Sequence, residues 1–452
     1  MSTSLRVQRK SQRRRFTPLV EQMEDRRLLA VWTVDDSFAS SNLAQHRTQT
    51  IQAAVDAAHA GDTINVRAGT YEEDVVVNKR LTIQGNNRPT VDPVDDGVAG
   101  VPAYGFNLQA NDIVIKNFRI GEFDGTTDPD GSVGINTAAA FSGYKIQNNL
   151  IAQNVFGIYL NTSTSNAAHI TQVTGNTIRD NNVPGAASGN GIYSDQGARN
   201  IKITGNRFFG HNNDDVIFVA PTNPVSGTSP LQIDIAVKNN KLLSSSGVFF
   251  VNVQRSQISF NEIRNSNFNA IELAGGNNGI TIRGNTLKNV GTQGFNGIYV
   301  YSRELAVGDF ITNGPNTNNE IVNNTVTNAG LTGIRIRDSQ FNTVRGNTVL
   351  RSKGFDLSNP AWGNGITLQG ADNNTVQSNV VKQNARHGIY VDADSNGNLI
   401  KSNVSLNNAR VDISAFDYDD ESTGGGTAGT ANTYNNNTGH TQNRAGLIKF
   451  KA

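Results

Sequence analysis

Between residues 144 and 404 apolar and polar positions alternate in short stretches, each broken at an Asn and resumed beyond it. The phrase reads Ile-Gln-Asn-Asn-Leu-Ile at 146–151, Ile-Thr-Gly-Asn-Arg-Phe at 203–208, Ile-Arg-Gly-Asn-Thr-Leu at 282–287 and Val-Arg-Gly-Asn-Thr-Val at 344–349. Its aligned Asn residues are Asn149, Asn176, Asn206, Asn240, Asn261, Asn285, Asn324, Asn347, Asn379 and Asn403, spaced 21–39 residues apart. A second pattern, Gly-Ile-x-aliphatic, recurs between them, as at Gly157-Ile158-Tyr159-Leu160, Gly297-Ile298-Tyr299-Val300 and Gly388-Ile389-Tyr390-Val391. Both patterns have a period of two, so each repeat predicts two short strands and no helix.

Strands of three or four residues cannot bury a face alone. Stacked in register at about 4.8 Å per turn they line one apolar column, with equivalent residues directly above one another. Asn at the same corner of each turn can hydrogen-bond its vertical neighbours and accept the left-handed backbone that a tight corner needs. The expected fold is all-β, a single-stranded parallel β-helix. A leucine-rich-repeat solenoid would need a Leu-rich consensus, which is missing.

Ahead of the repeats, Gln49 to Ala58 reads as a short amphipathic helix with Thr50 as its cap, placed to cover the open end of the solenoid. Gly61-Asp62-Thr63-Ile64-Asn65-Val66, Gly69-Thr70-Tyr71 and Leu81-Thr82-Ile83-Gln84-Gly85 follow. This string resembles the opening of right-handed parallel β-helix proteins of the pectin-lyase-like superfamily, including NosD-like repeats, over roughly residues 49–440. The resemblance implies a right-handed coil and an affinity for polysaccharide. It does not fix the chemistry, because that superfamily includes lyases, hydrolases, esterases, epimerases and inert adhesins. Motifs of polygalacturonases and of alginate epimerases are absent, Asp128-Pro129-Asp130-Gly131 being only a partial echo of the latter.

Residues 1–31 form a separate basic segment. Gln22-Met23-Glu24-Asp25-Arg26-Arg27-Leu28-Leu29 resembles the Arg-rich leader of exported planctomycete proteins, the alternative being a disordered basic arm. Residues 32–452 then form one β-helix domain, with a cap at about 49–85, repeated turns at about 110–415 and a closing segment at about 416–452. The net charge is +1, yet residues beyond 27 carry 31 basic against 35 acidic side chains, which argues against nucleic-acid binding. With no Cys, disulfides and thiolate metal sites are excluded, and no apolar run reaches the length of a membrane span. A secreted or cell-surface bacterial monomer that engages polysaccharide is expected.

In Gly-Ile-x-aliphatic, x and the residue two further on point away from the core. The predicted outward columns are Tyr159, Tyr193, Phe218, Phe249, Glu272, Tyr299, Arg335, Thr367 and Tyr390, beside Asn161, Asp195, Ala220, Val251, Ala274, Tyr301, Arg337, Gln369 and Asp392. Stacked aromatics offer a platform for sugar rings, though sheets also favour Tyr and Phe for ladder stability alone. Two neighbouring arginines suit a carboxylate. The site reading is therefore a lyase-like one. Arg335 and Arg337 neutralise a uronate, Tyr299 or Tyr390 moves protons, His387 assists, and Tyr159, Tyr193, Tyr301, Gln369, Asp392 and Trp362 contact substrate. Inserts at 303–319 and 352–364 are placed to wall a groove. The rival is a non-catalytic glycan-binding, adhesin-like or structural envelope protein.

No cofactor or metal is expected. Asp392-Ala393-Asp394-Ser395-Asn396-Gly397 matches half a calcium loop, but Asn403 stands where its Glu is needed, so a plain turn is predicted. Asp124, Asp128 and Asp130 form a weaker acidic loop, and His211-Asn212-Asn213-Asp214-Asp215 reads as a solvated corner, the alternative being a loop that holds a general acid or a cation.

Overall fold

A computed structural model describes residues 29–450 apart from 95–102, 123–130, 163–168, 221–231, 244–245, 303–313 and 356. The basic leader up to residue 28 and the Asp124–Asp130 loop lie outside the described residues, as does most of the 303–319 insert. The chain winds into a right-handed coil whose strands build three parallel sheets of 17, 15 and 13 strands. One turn runs through Thr281–Arg283 in the first sheet, Thr286–Lys288 in the second and Ile298–Tyr301 in the third.

Each turn thus holds three strands rather than the two read from sequence. The repeated phrase is itself two strands bent at the Asn, as in Ala198–Thr204 followed by Arg207–Phe209. Alternation that continues across a sharp corner looks like one strand on paper. Inward positions such as Ile282, Leu287, Ile298 and Val300 are fully buried and form one continuous core along the coil.

The Asn residues form a buried ladder at the first bend. Asn324 Oδ1 accepts from both the backbone N–H and Nδ2 of Asn285 at 2.9 Å. Its own Nδ2 donates to Asn347 Oδ1 at 3.0 Å and to the Ile282 carbonyl at 2.9 Å. The left-handed backbone falls one residue earlier than expected: Asn323 has φ 55° and Gly346 φ 67°. The preceding residue turns the corner, which frees the ladder Asn to point inward.

The Gly of Gly-Ile-x has a different cause. A Cβ on Gly333 would lie 2.2 Å from Val349 Cγ1 and 2.7 Å from the Gly365 carbonyl oxygen, so successive turns leave no room for a side chain there. At the N-terminal end, helix Ile51–Ala57 buries Ile51, Ala54 and Val55 beside strand Val31–Val34. Thr50 caps it through Ala53 N–H, and the Glu73 carboxylate accepts from the N–H groups of Ile51 and Gln52 at 2.8 and 2.9 Å.

One outward column needs correction. Tyr193 pairs with Ile217 and Ile217 with Phe249, so Ile217 and Val219 face outward while Phe218 is core. Strand Val216–Val219 is apolar throughout and carries no alternation to fix its phase, and a shift of one residue exchanges the faces.

Candidate functional site

The outer face of the third sheet carries a cleft of about 490 Å³, its floor on strands Val248–Val251, Ile271–Ala274, Ile298–Tyr301 and Ile334–Arg337. Register places Glu272 directly below Tyr299, Tyr299 below Arg335, and Tyr301 below Arg337. The bends leading into these strands supply walls: Phe268 and Phe295 meet edge-on at 5.0 Å, and Trp362 comes from the 352–364 insert. That insert walls the groove as expected.

Tyr299 and Tyr301 stack at 4.5 Å between ring centroids and 17° between planes, each ring covering part of one face of the other. The Arg335 guanidinium lies over the Tyr299 ring at 5.4 Å. Arg335 is only 6% exposed, donates through Nη2 to Gln369 Oε1, and burial lowers its pKa. Arg337 Nε pairs with Asp338 at 3.1 Å, and its guanidinium also bonds Tyr299, contacts that favour its charge. Arg335 Nε and Trp362 Nε1 are buried donors that meet no acceptor among the described residues.

Two carboxylates line the same cleft. Glu272 accepts from Asn269 Nδ2 at 2.7 Å and bonds Tyr301; burial outweighs these contacts and raises its pKa. Burial, then Tyr301's own contact with Glu272, raises the Tyr301 phenol. Asp214 enters from the 211–215 bend, and burial together with the charges of Glu272 and Asp215 pushes its carboxyl well above the usual range.

The bend is not the solvated corner expected. His211 and Asp215 have fully buried side chains 2.8 Å apart, and Asn181 Nδ2 lies 3.2 Å from His211 Nε2, so His211 continues an Asn column. Burial lowers the His211 pKa to about 3. Glu272 stands in the outward column read from sequence, where its charge among Phe249 and Tyr299 was the available signal. Asp214 gave no such sign, because a polar bend in sequence does not reveal which side chain turns back over the sheet.

The expected patch from Tyr299 to Asp392 is divided. The insert covers Thr367, whose Oγ1 meets Asn364 Nδ2 at 3.0 Å, and Arg386 ties the insert down through the carbonyls of Leu357 and Asn359. Beyond it Tyr390 is 3% exposed and donates to Glu421 at 2.8 Å, which with burial raises its pKa. His387, 6% exposed, accepts from Phe416 N–H at Nδ1, and burial lowers its pKa to about 4. Neither reaches the cleft. Asp392 accepts from Gly370 N–H and Ser395 Oγ, the geometry of the plain turn predicted there.

Tyr159 and Tyr193 occupy the same face toward the N-terminus, Tyr193 lying four turns, roughly 19 Å, from Tyr299. They stack at 5.9 Å and both bond Asp195, at 2.5 and 3.2 Å. Among the described residues no cluster of three or more metal-ligating carboxylates or imidazoles occurs, and no helix is long and apolar enough to cross a membrane.

The family profile described as the right handed beta helix region matches residues 223–355 and 295–448, together half of the chain. None of the curated proteins matches the chain. Among solved structures, the chain is similar to the catalytic unit of a GH87 α-1,3-glucanase from Streptomyces thermodiastaticus, at 13% identity and TM-score 0.53. That likeness covers 91% of this chain and 69% of the other. It is also similar to the Dettilon tailspike protein, at 16% identity and TM-score 0.50, covering 82% of this chain and 66% of the tailspike. At such identities the likeness is one of fold. The stacked parallel turns, the Asn ladder and the matched profile make this chain a member of the right-handed β-helix family.

Proposed function

We propose that the protein is an exported β-helix that holds an acidic polysaccharide in the cleft on its third sheet. The observation that carries this reading is the joining of a stacked aromatic surface, Tyr299 and Tyr301, to two guanidinium groups in one open groove. Sugar rings lie on aromatic faces, and a uronate carboxylate complements Arg337 and the free Nε of Arg335. The glucanase likeness accords with a glycan partner, and the leader with export. A single face four strands wide suits one chain of sugars running across the sheet, engaged by a monomer.

Affinity electrophoresis of the full chain through gels containing pectate, alginate or neutral xylan tests this. Retardation by an acidic glycan is expected, and Arg337→Ala and Tyr299→Ala should each weaken it about tenfold, the scale of one charge-assisted or stacking contact. Unchanged retardation in both variants would place binding on another face.

A lyase-like reaction is the second reading, favoured by the contact between Tyr299 and Arg337, which puts a phenol beside a group able to neutralise a uronate. Tyr390 and His387 drop out of it, being covered and engaged elsewhere. A lyase would leave unsaturated, ultraviolet-absorbing ends.

A further inference from the structure

We propose that Asp214 and Glu272 are the acid and base of a glycosidic hydrolysis carried out in this cleft, an inference that rests on the glycan-binding reading above. Both line the groove, and they come from different places: Glu272 stands on the sheet floor beside Tyr299, and Asp214 belongs to the bend at 211–215. The Asp214 backbone is fixed, its N–H donating to Asn190 Oδ1 at 3.0 Å and its carbonyl accepting from Gly191 N–H at 2.9 Å. The wholly buried His211–Asp215 pair anchors the same bend. Two carboxyl groups in one groove with aromatic side chains are the pair of groups that glycoside hydrolysis uses.

An independent feature shows that the groove is shaped for a ligand. Arg335 lines it while only 6% exposed, and its buried Nε meets no acceptor among the described residues, a donor that is costly unless a bound group accepts from it.

The surroundings assign the two roles. Glu272 receives hydrogen bonds from Asn269 and Tyr301, which stabilise its anion. Among the described residues no hydrogen bond reaches the Asp214 carboxylate, which also faces the charges of Glu272 and Asp215. The proton shared by the site therefore resides on Asp214. Asp214 donates it to the glycosidic oxygen as the bond from that oxygen to the anomeric carbon breaks. Glu272 takes a proton from water as the water oxygen bonds to the same carbon. One glycosidic bond and one water are consumed, a hemiacetal and an alcohol are formed, and proton exchange with solvent resets the pair.

The test incubates the full chain with whichever of pectate, alginate or xylan it retains, following reducing ends and ultraviolet absorbance together. New reducing ends without unsaturated products are expected. Glu272→Gln and Asp214→Asn should each slow their release about 100-fold or more while retaining the glycan on affinity gels, which also reports that the variant is folded. If Glu272→Gln does not fold, Glu272→Asp, which keeps the charge but shortens its reach, should show the same slowing. Retention without any cleavage, accumulation of unsaturated ends, or a variant within about threefold of the parent rate would overturn the inference and leave glycan binding standing. Failure to retain any glycan would instead sink the binding reading beneath it.

Discussion

At the residue scale, burial decides what each polar side chain can do. His387 and Asp419 show this most clearly: His387 Nδ1 lies 3.2 Å from Asp419 Oδ2 while accepting from Phe416 N–H, so Nδ1 carries no proton of its own. Burial lowers His387 from 6.5 to about 4, and burial with the charges of Glu421 and Asp420 raises Asp419 from 3.8 to about 7. The contribution of His387 to stability is present above pH 6.5 and lost as pH falls toward 4, because only the unfolded chain takes up its proton there. Asp419 runs the other way, its contribution present below 3.8 and lost as pH rises toward 7. The two slopes oppose each other across this window, within a total to which His211, Asp214 and Glu272 also contribute. His387→Gln removes the His387 slope alone, so chemical denaturation should find the variant losing on the order of 3 kcal/mol more stability than the parent from pH 4 to pH 7. Parallel pH profiles for parent and variant would show that burial does not hold His387 neutral in the fold. None of this was legible in the sequence, where Tyr390 sat in an outward column with His387 beside it; the segment carrying Phe416, Asp419 and Glu421 closes over them by tertiary contacts that periodicity does not record.

At the scale of elements, the turn is a corner problem as much as a strand problem. Alternation identified the strands and Asn spacing the register, because side-chain direction follows directly from a period of two. The corner chemistry was half legible: the ladder was readable from identical residues at identical places, but its left-handed position lies on the neighbour. Asn324, 1% exposed, joins three turns, and Asn324→Ala would leave the Asn285 N–H without its acceptor and remove the side-chain bonds to the Ile282 carbonyl and Asn347 Oδ1, the latter keeping only the N–H of residue 324. A loss of about 3 kcal/mol is expected in urea denaturation, since each buried unsatisfied group costs about 1–3 kcal/mol and relaxation recovers part of the sum. A loss below about 1 kcal/mol would mean that the ladder is decoration rather than support. Strand Val216–Val219 marks where such reading stops, for an all-apolar strand has no phase to read.

At the scale of the molecule, a solenoid places residues distant in sequence one above another and lets inserts at a few bends sculpt a local groove. Glu272, Tyr299 and Arg335 fall on consecutive turns although 63 residues separate the first from the last. That stacking was predictable once the repeat was phased. The groove's walls were not, since Asp214, Phe268 and Trp362 arrive from bends of unequal length. The mixed charge of the cleft, two guanidinium groups on one side and two carboxylates on the other, gives a glycan chain a direction as well as a place. The most direct test is a crystal structure of the Glu272→Gln variant soaked with an oligouronate that the parent protein retains. A sugar ring resting on Tyr299, its carboxylate toward Arg337 and its glycosidic oxygen toward Asp214, is the predicted result; a sugar bound on either of the other two sheets, or at Tyr159 and Tyr193 alone, would contradict it.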